Sequence, residues 1–137
     1  RPDAKVTGVH LQPMLPKGHE VIVGAVRDPQ FGPLVMFGSG GVEVEGLKDV
    51  AFALAPLPRA EAEEMVERTW AGRKLRGFRN LPAADRDAVL DALLRLAQLV
   101  ADFPEIAEAE INPLRALAAG QGAVALDARI RVVAATA

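Results

Sequence analysis

There is no cysteine among the 137 residues. That excludes disulfides, thiolate zinc sites and cysteine nucleophiles; it also fits a reducing compartment, so the cytoplasm is the expected location. Tyrosine is absent, tryptophan occurs once, and 16 basic residues stand against 18 acidic ones for a formal net charge of -2. With no basic excess and few rings to stack on bases, no nucleic-acid partner is expected. Hydrophobic residues make up 50% of the chain. Charges, Gly or Pro interrupt them every few positions, so no run reaches the roughly 18 apolar residues of a membrane span. His10 and His19 have no carboxylate neighbours in sequence that would mark a base or a ligand, and no Ser sits in a nucleophile motif. The opening R1-P-D-A-K is neither a signal peptide nor a start with Met. The expectation is one lobe, residues 1–137, belonging to a larger protein.

What is present falls into two periods. Residues 6–14 alternate as a strand with a turn at Pro16, Lys17 and Gly18, and residues 19–27 read as a second strand. The Pro-rich connection 28–33 leads to a third, 34–37, followed by an alternating stretch at 42–45 and another short strand at 49–54. From Pro58 the period becomes helical. Residues 59–70 set Ala62, Met65, Val66, Thr69 and Trp70 on one stripe, with Met65 and Trp70 expected in the core and Gly72 expected to end the helix. The longest helix is predicted from about Pro82 to Asp102, with Pro104 as its stop. A final hairpin puts Val124, Leu126, Ala128, Ile130 and Val132 on one face and Asp127, Arg129 and Arg131 on the other. Two main helices inserted before that hairpin predict an α+β fold, a mostly antiparallel sheet with helices on one face.

The hairpin carries the chemistry. If its turn centres near Ala119 and Gly120, Asn112 pairs directly opposite Asp127, with Glu110 two residues away on the same face. Three hard oxygen donors then converge, which is what Mg²⁺ bridging nucleotide phosphates requires. Taken singly, each carboxylate is equally at home on a solvated strand, and Asn112 before Pro113 could simply start a turn. The F37-G-S-G-G41 loop could surround an anion with backbone N–H groups, or could be a plain tight turn; it is neither a Walker A loop nor a dinucleotide fingerprint. Glu43 and Glu45 could line the same cleft or an exposed strand. Arg27 could grip a phosphate with its forked donors, or pair with Asp28 to fix the Pro-rich loop. Glu20 and Arg27 are an odd number of residues apart and should face opposite sides of their strand. The basic segment 72–80 is either a solvated linker or a contact for a phosphate-bearing partner.

The runs GVHLQPM (8–14), HEVIVGAVRDPQFGPLVMFGSGGVEVE (19–45), LKDVAFALAPL (47–57), ADFPEIAEAEINPL (101–114) and ALDARI (125–130) resemble the C-terminal lobe of the ATP-grasp domain of ADP-forming acyl-CoA synthetases. These include the acetate–CoA ligase type and relatives fused to a protein acetyltransferase; the β subunit of succinyl-CoA synthetase is similar more distantly. The resemblance implies a lobe that binds ATP and Mg²⁺ and exchanges phosphate with a histidine, which then activates a carboxylic acid for transfer to CoA. It implies Asn112 and Asp127 as metal ligands with Glu110 as their acidic neighbour, and Glu20 on a nucleotide-facing strand. It also implies Arg27, Asp28 and the loop of Gly38, Ser39, Gly40 and Gly41 facing the transferred phosphate. The N-terminal ATP-grasp lobe and the CoA-binding domains with their phosphorylated histidine are expected as partners, in cis or as a separate subunit, and a homo-oligomer is possible. The alternative is a nucleotide-sensing regulatory domain without catalysis, for example of a fused acetyltransferase; a further one is an interaction domain whose acidic hairpin only faces solvent.

Overall fold

The computed structural model describes residues 2–40 and 49–134. Gly41 and the stretch 42–45, with Glu43 and Glu45, lie outside the described residues. The elements follow in the order β1 (His19–Asp28), β2 (Gly32–Ser39), β3 (Val50–Leu54), α1 (Arg59–Glu67), α2 (Trp70–Lys74), α3 (Arg86–Asp102), β4 (Ile106–Ala116), β5 (Ala123–Ala125) and β6 (Ala128–Val132). The strands form one antiparallel sheet in the order β3-β2-β1-β4, with β5 and β6 sharing the far side of β4.

Period two sorts the side chains of the sheet. Val21, Val23 and Ala25 of β1, Val35 and Phe37 of β2 and Ala53 of β3 are buried in one cluster with Met65 and Val66 of α1 and Val89, Leu90 and Leu93 of α3. Their neighbours in the alternation, Val26, Val50, Phe52 and Leu54, point to the other face and are exposed. The fold is therefore the expected α+β arrangement, a mostly antiparallel sheet covered by helices on one side. Its second face is open.

Several boundaries differ from the sequence expectation for identifiable reasons. Residues 6–14 form no strand, and Val9, Leu11 and Met14 are 88%, 98% and 96% exposed. Alternation alone cannot make a strand where no neighbour offers a ladder. Gly72 does not end a helix but sits inside α2, where a Cβ would overlap the Val66 carbonyl. Thr69 breaks the helical run instead, its Oγ1 accepting from Gly72 N at 2.9 Å to start α2. That break turns Trp70 outward, so it is 39% exposed rather than a core residue, and it packs edge-on against Phe78 at 5.2 Å.

The long helix starts four residues later than Pro82 because the intervening backbone is engaged elsewhere. Ala84 N bonds Leu75 O, Asp85 N bonds Leu117 O, and Ala119 N bonds Ala83 O. Asp85 then caps α3, with Oδ1 accepting from Ala88 N at 3.1 Å. The closing hairpin is interrupted: β4 runs unbroken, but its partner is split at Leu126 and Asp127 into β5 and β6. Ile130 and Val132 are 55% and 62% exposed, so the expected apolar face of β6 is not buried.

Candidate functional site

The register of the hairpin decides the geometry of the site. Leu114 pairs with Ala125 and Ile111 with Ala128, which brings Asn112 opposite Asp127; Asn112 N donates to Asp127 O at 3.0 Å. The turn that sets this pairing lies at residues 118–121, where Gln121 N bonds Ala118 O and Gly120 takes φ 79°. Glu110, Asn112 and Asp127 line a cleft of about 150 Å³ together with Ala128 and Arg129. Two carboxylates and an amide oxygen, with no histidine or thiol, form a hard donor set with room for water, which suits Mg²⁺.

A second cleft of about 300 Å³ adjoins the first on the open face of the sheet. Gly24 is its floor, directly opposite Glu110 in register; Met36 and Phe52 form its apolar wall, and Glu110 and Arg129 border both clefts. Farther along, Arg131 donates to Glu108 at 3.1 Å, and this hydrogen bond holds the Glu108 carboxyl below the usual carboxylate range. At the opposite end Glu20 accepts from Arg115 Nη2 at 2.6 Å. Glu20 thus lies on the open face, two residues from Ile22 toward the start of β1, and it lines a separate pocket of about 240 Å³ with Gly40.

Of the other residues implied by the family resemblance, Arg27, Asp28, Gly38 and Ser39 line neither the Asp127 cleft nor the Gly24 cleft. Arg27 faces the helix layer: its Nη2 donates to Val100 O at 2.6 Å and Phe103 O at 3.3 Å, and its Nε to Ile106 O at 3.3 Å. It caps the C-terminal end of α3, where a cation meets unsatisfied carbonyls, and it is not paired with Asp28. Asp28 holds the β1–β2 turn, with Oδ1 accepting from Gln30 N and Phe31 N at 2.7 and 2.9 Å. It lies four residues beyond Gly24, roughly 13 Å along the strand.

The loop after β2 is likewise engaged internally. Ser39 N bonds Asp49 O and Gly40 N bonds Glu20 O, so these two amides do not form an open anion cradle. Glycine is needed at 38 and 40 because a Cβ would stand 2.3 Å from Asp49 O at Gly38 and 2.5 Å from the Val21 backbone at Gly40. Buried Ser39 donates its Oγ proton to Asp49, whose carboxylate also accepts from Trp70 N and Ala71 N at 2.7 Å. An acidic side chain of the protein itself therefore occupies the start of α2.

Sequence reasoning placed Arg129 on the Asp127 face without giving it a role, and it passed over Gly24, Met36, Phe52, Asp49 and Arg115. Arg129 could have been found, since it stands two residues after Asp127 on the same side of the strand. The others depend on which strands become neighbours.

An ATP-grasp domain model matches residues 1–132. The chain belongs to the ATP-grasp family. Within that family it is the C-terminal lobe of the ADP-forming acyl-CoA synthetase group. This ATP-grasp lobe is 50% identical over 123 residues to acetate–CoA ligase [ADP-forming] I of Archaeoglobus fulgidus, covering 90% of the lobe and 18% of that protein. It is 45% identical over 131 residues to the β subunit of acetate–CoA ligase [ADP-forming] II of Pyrococcus furiosus, covering 95% of the lobe and 56% of the subunit. The dinucleotide-forming acetyl-coenzyme A synthetase 1 of Ca. Korarchaeum cryptofilum, solved with coenzyme A, Ca-AMPCP and HgCl⁺, superposes with a TM-score of 0.84 at 43% identity, over 96% of the lobe and 57% of that chain. Another structure of that enzyme holds coenzyme A and Mg-AMPPCP, with its phosphohistidine segment pointing towards the nucleotide site; there the TM-score is 0.81 at 44% identity, over 87% of the lobe and 55% of that chain. The lobe thus spans little more than half of the shorter relatives, which carry further domains. Among the described residues, no helix is long and apolar enough to cross a membrane.

Proposed function

We propose that this lobe holds Mg²⁺ and the phosphates of ATP for an ADP-forming acyl-CoA synthetase, which converts acid, ATP and CoA to acyl-CoA, ADP and phosphate through phosphohistidine and acyl phosphate. Asn112 and Asp127 are the metal ligands and Glu110 their acidic neighbour. The observation that carries this reading is the hairpin register, which sets Asn112 across from Asp127 and puts both in one cleft with Glu110. Magnesium would supply charge neutralisation on the phosphates; the chain's own part is to aim three oxygen donors from a paired, rigid strand. Glu20, one end of the Glu20–Arg115 pair, borders the nucleotide at the start of β1. The N-terminal ATP-grasp lobe and the CoA-binding domains complete the enzyme from the rest of the protein or from a second subunit. The cysteine-free composition supports a cytoplasmic, reducing setting.

The test is Mg-dependent turnover of ATP by the complete protein, beside thermal melts, for the wild type and for Asp127→Asn and Asn112→Ala. Both variants should keep the wild-type melting temperature and lose Mg-dependent turnover by about a hundredfold or more. Wild-type turnover in both variants would remove the metal site from this cleft.

A further inference from the structure

Three arginines stand on the open face of the sheet, and two of them are already engaged. Arg115 is tied to Glu20 and Arg131 to Glu108. Arg129, between them, is in no close ion pair or side-chain hydrogen bond among the described residues; its charge acts on Glu108 at longer range, and Glu110 is its direct partner in register. Its position is also particular. It is part of the wall shared by the cleft of Glu110, Asn112 and Asp127 and the larger cleft floored by Gly24 and walled by Met36 and Phe52. The first has the donors for a metal-bound phosphate. The second has an apolar side and a bare glycine floor, which suit an uncharged ring brought up to that phosphate.

We infer that Arg129 is a catalytic residue: its guanidinium contacts the terminal phosphoryl group of the nucleotide as that group passes from the Asp127 cleft to an imidazole acceptor seated over Gly24. This rests on the nucleotide reading above and adds the residue that receives the moving charge. In that step the bond between the γ-phosphorus and the β–γ bridging oxygen breaks, with its electron pair staying on ADP. A phosphorus–nitrogen bond forms from the lone pair of a neutral imidazole nitrogen, and the proton on the other ring nitrogen leaves to solvent. A planar fork of N–H donors fits the equatorial oxygens of a phosphoryl group in transit. Arg27, turned toward the helices, cannot take this part.

The complete protein tests it with Mg-AMPPCP and Mg-ADP as calorimetric probes, beside the rate at which phosphoenzyme forms from ATP. Arg129→Gln should bind Mg-AMPPCP about tenfold more weakly, hold Mg-ADP within about twofold, and phosphorylate roughly a hundredfold more slowly; Arg129→Lys should fall between. Should the glutamine variant lose its cooperative melt, Arg129→Met, which keeps the aliphatic stem, replaces it. A variant unchanged toward both probes, or weakened equally toward both, overturns the assignment of Arg129 alone. A wild-type protein that binds neither probe overturns the nucleotide reading, and this inference with it.

Discussion

Arg27 and Glu20 are seven positions apart on β1, an odd offset that sends them to opposite faces. Parity alone therefore separates the residue that meets Arg115 on the open face from the one that meets the α3 carbonyls. Arg27→Met keeps the aliphatic stem and removes all three hydrogen bonds, so urea unfolding should show about 2 kcal/mol less stability with an unchanged m-value. Nucleotide affinity should stay put, and a variant with full stability but lost affinity would return Arg27 to the phosphate. The parity was legible in the sequence; the partner was not, because Val100 and Phe103 lie 73 and 76 residues away. The convergence of Glu110, Asn112 and Asp127 on one cleft was legible for the opposite reason. Asn112 and Asp127 belong to a local hairpin whose turn chemistry, with glycine at 120, fixes which residues pair.

Among the elements, long periodic stretches were readable and their ends were not. The stripe of Val89, Leu90, Leu93 and Val100 marks α3 unambiguously, while its start depends on backbone bonds from residues 83–85 to Leu75, Leu117 and Ala119. Asp85 couples that start to the closing hairpin. Its Oδ1 caps α3 through Ala88 N, and its Oδ2 accepts from Gly122 N at 2.8 Å in the loop that sets the pairing of Asn112 with Asp127. The bonds from Gly122 and Ala88 hold its carboxyl below the ordinary value of 3.8. A carboxylate depressed on folding stabilises fully above its unfolded pKa, and the contribution is lost as pH falls through the folded pKa. Asp85→Asn keeps a capping oxygen but loses the charge-assisted bonds, so it should be less stable than the wild type at neutral pH. The gap from the wild type should close as pH drops below about 4. Thermal melts of both proteins across that range measure it, and a gap that is constant with pH would show that the carboxylate charge is not what couples helix and hairpin.

For the molecule as a whole, the distribution of exposed apolar residues is more informative than the core. Val26, Phe52 and Leu54 line the open face of the sheet, and residues 2–17 add Val6, Val9, Leu11 and Met14 in a segment without helix or strand. Apolar surface on this scale is costly in water unless something covers it. This is the face on which the proposed function seats the nucleotide, and the lobe covers only 56% and 55% of two of its relatives. Residues 6–14 alternate as a strand does, but among the described residues no strand pairs with them. Hydrogen exchange distinguishes the possibilities. In the isolated lobe, amides of 4–15 should exchange at unprotected rates while those of β1 and α3 exchange roughly a thousandfold or more slowly, as expected for about 4 kcal/mol of local stability. In the complete protein the 4–15 amides should gain protection of similar size, with more on adding Mg-AMPPCP. If they stay unprotected there, the segment is a linker, and the open face must be closed by protein reaching it along another path.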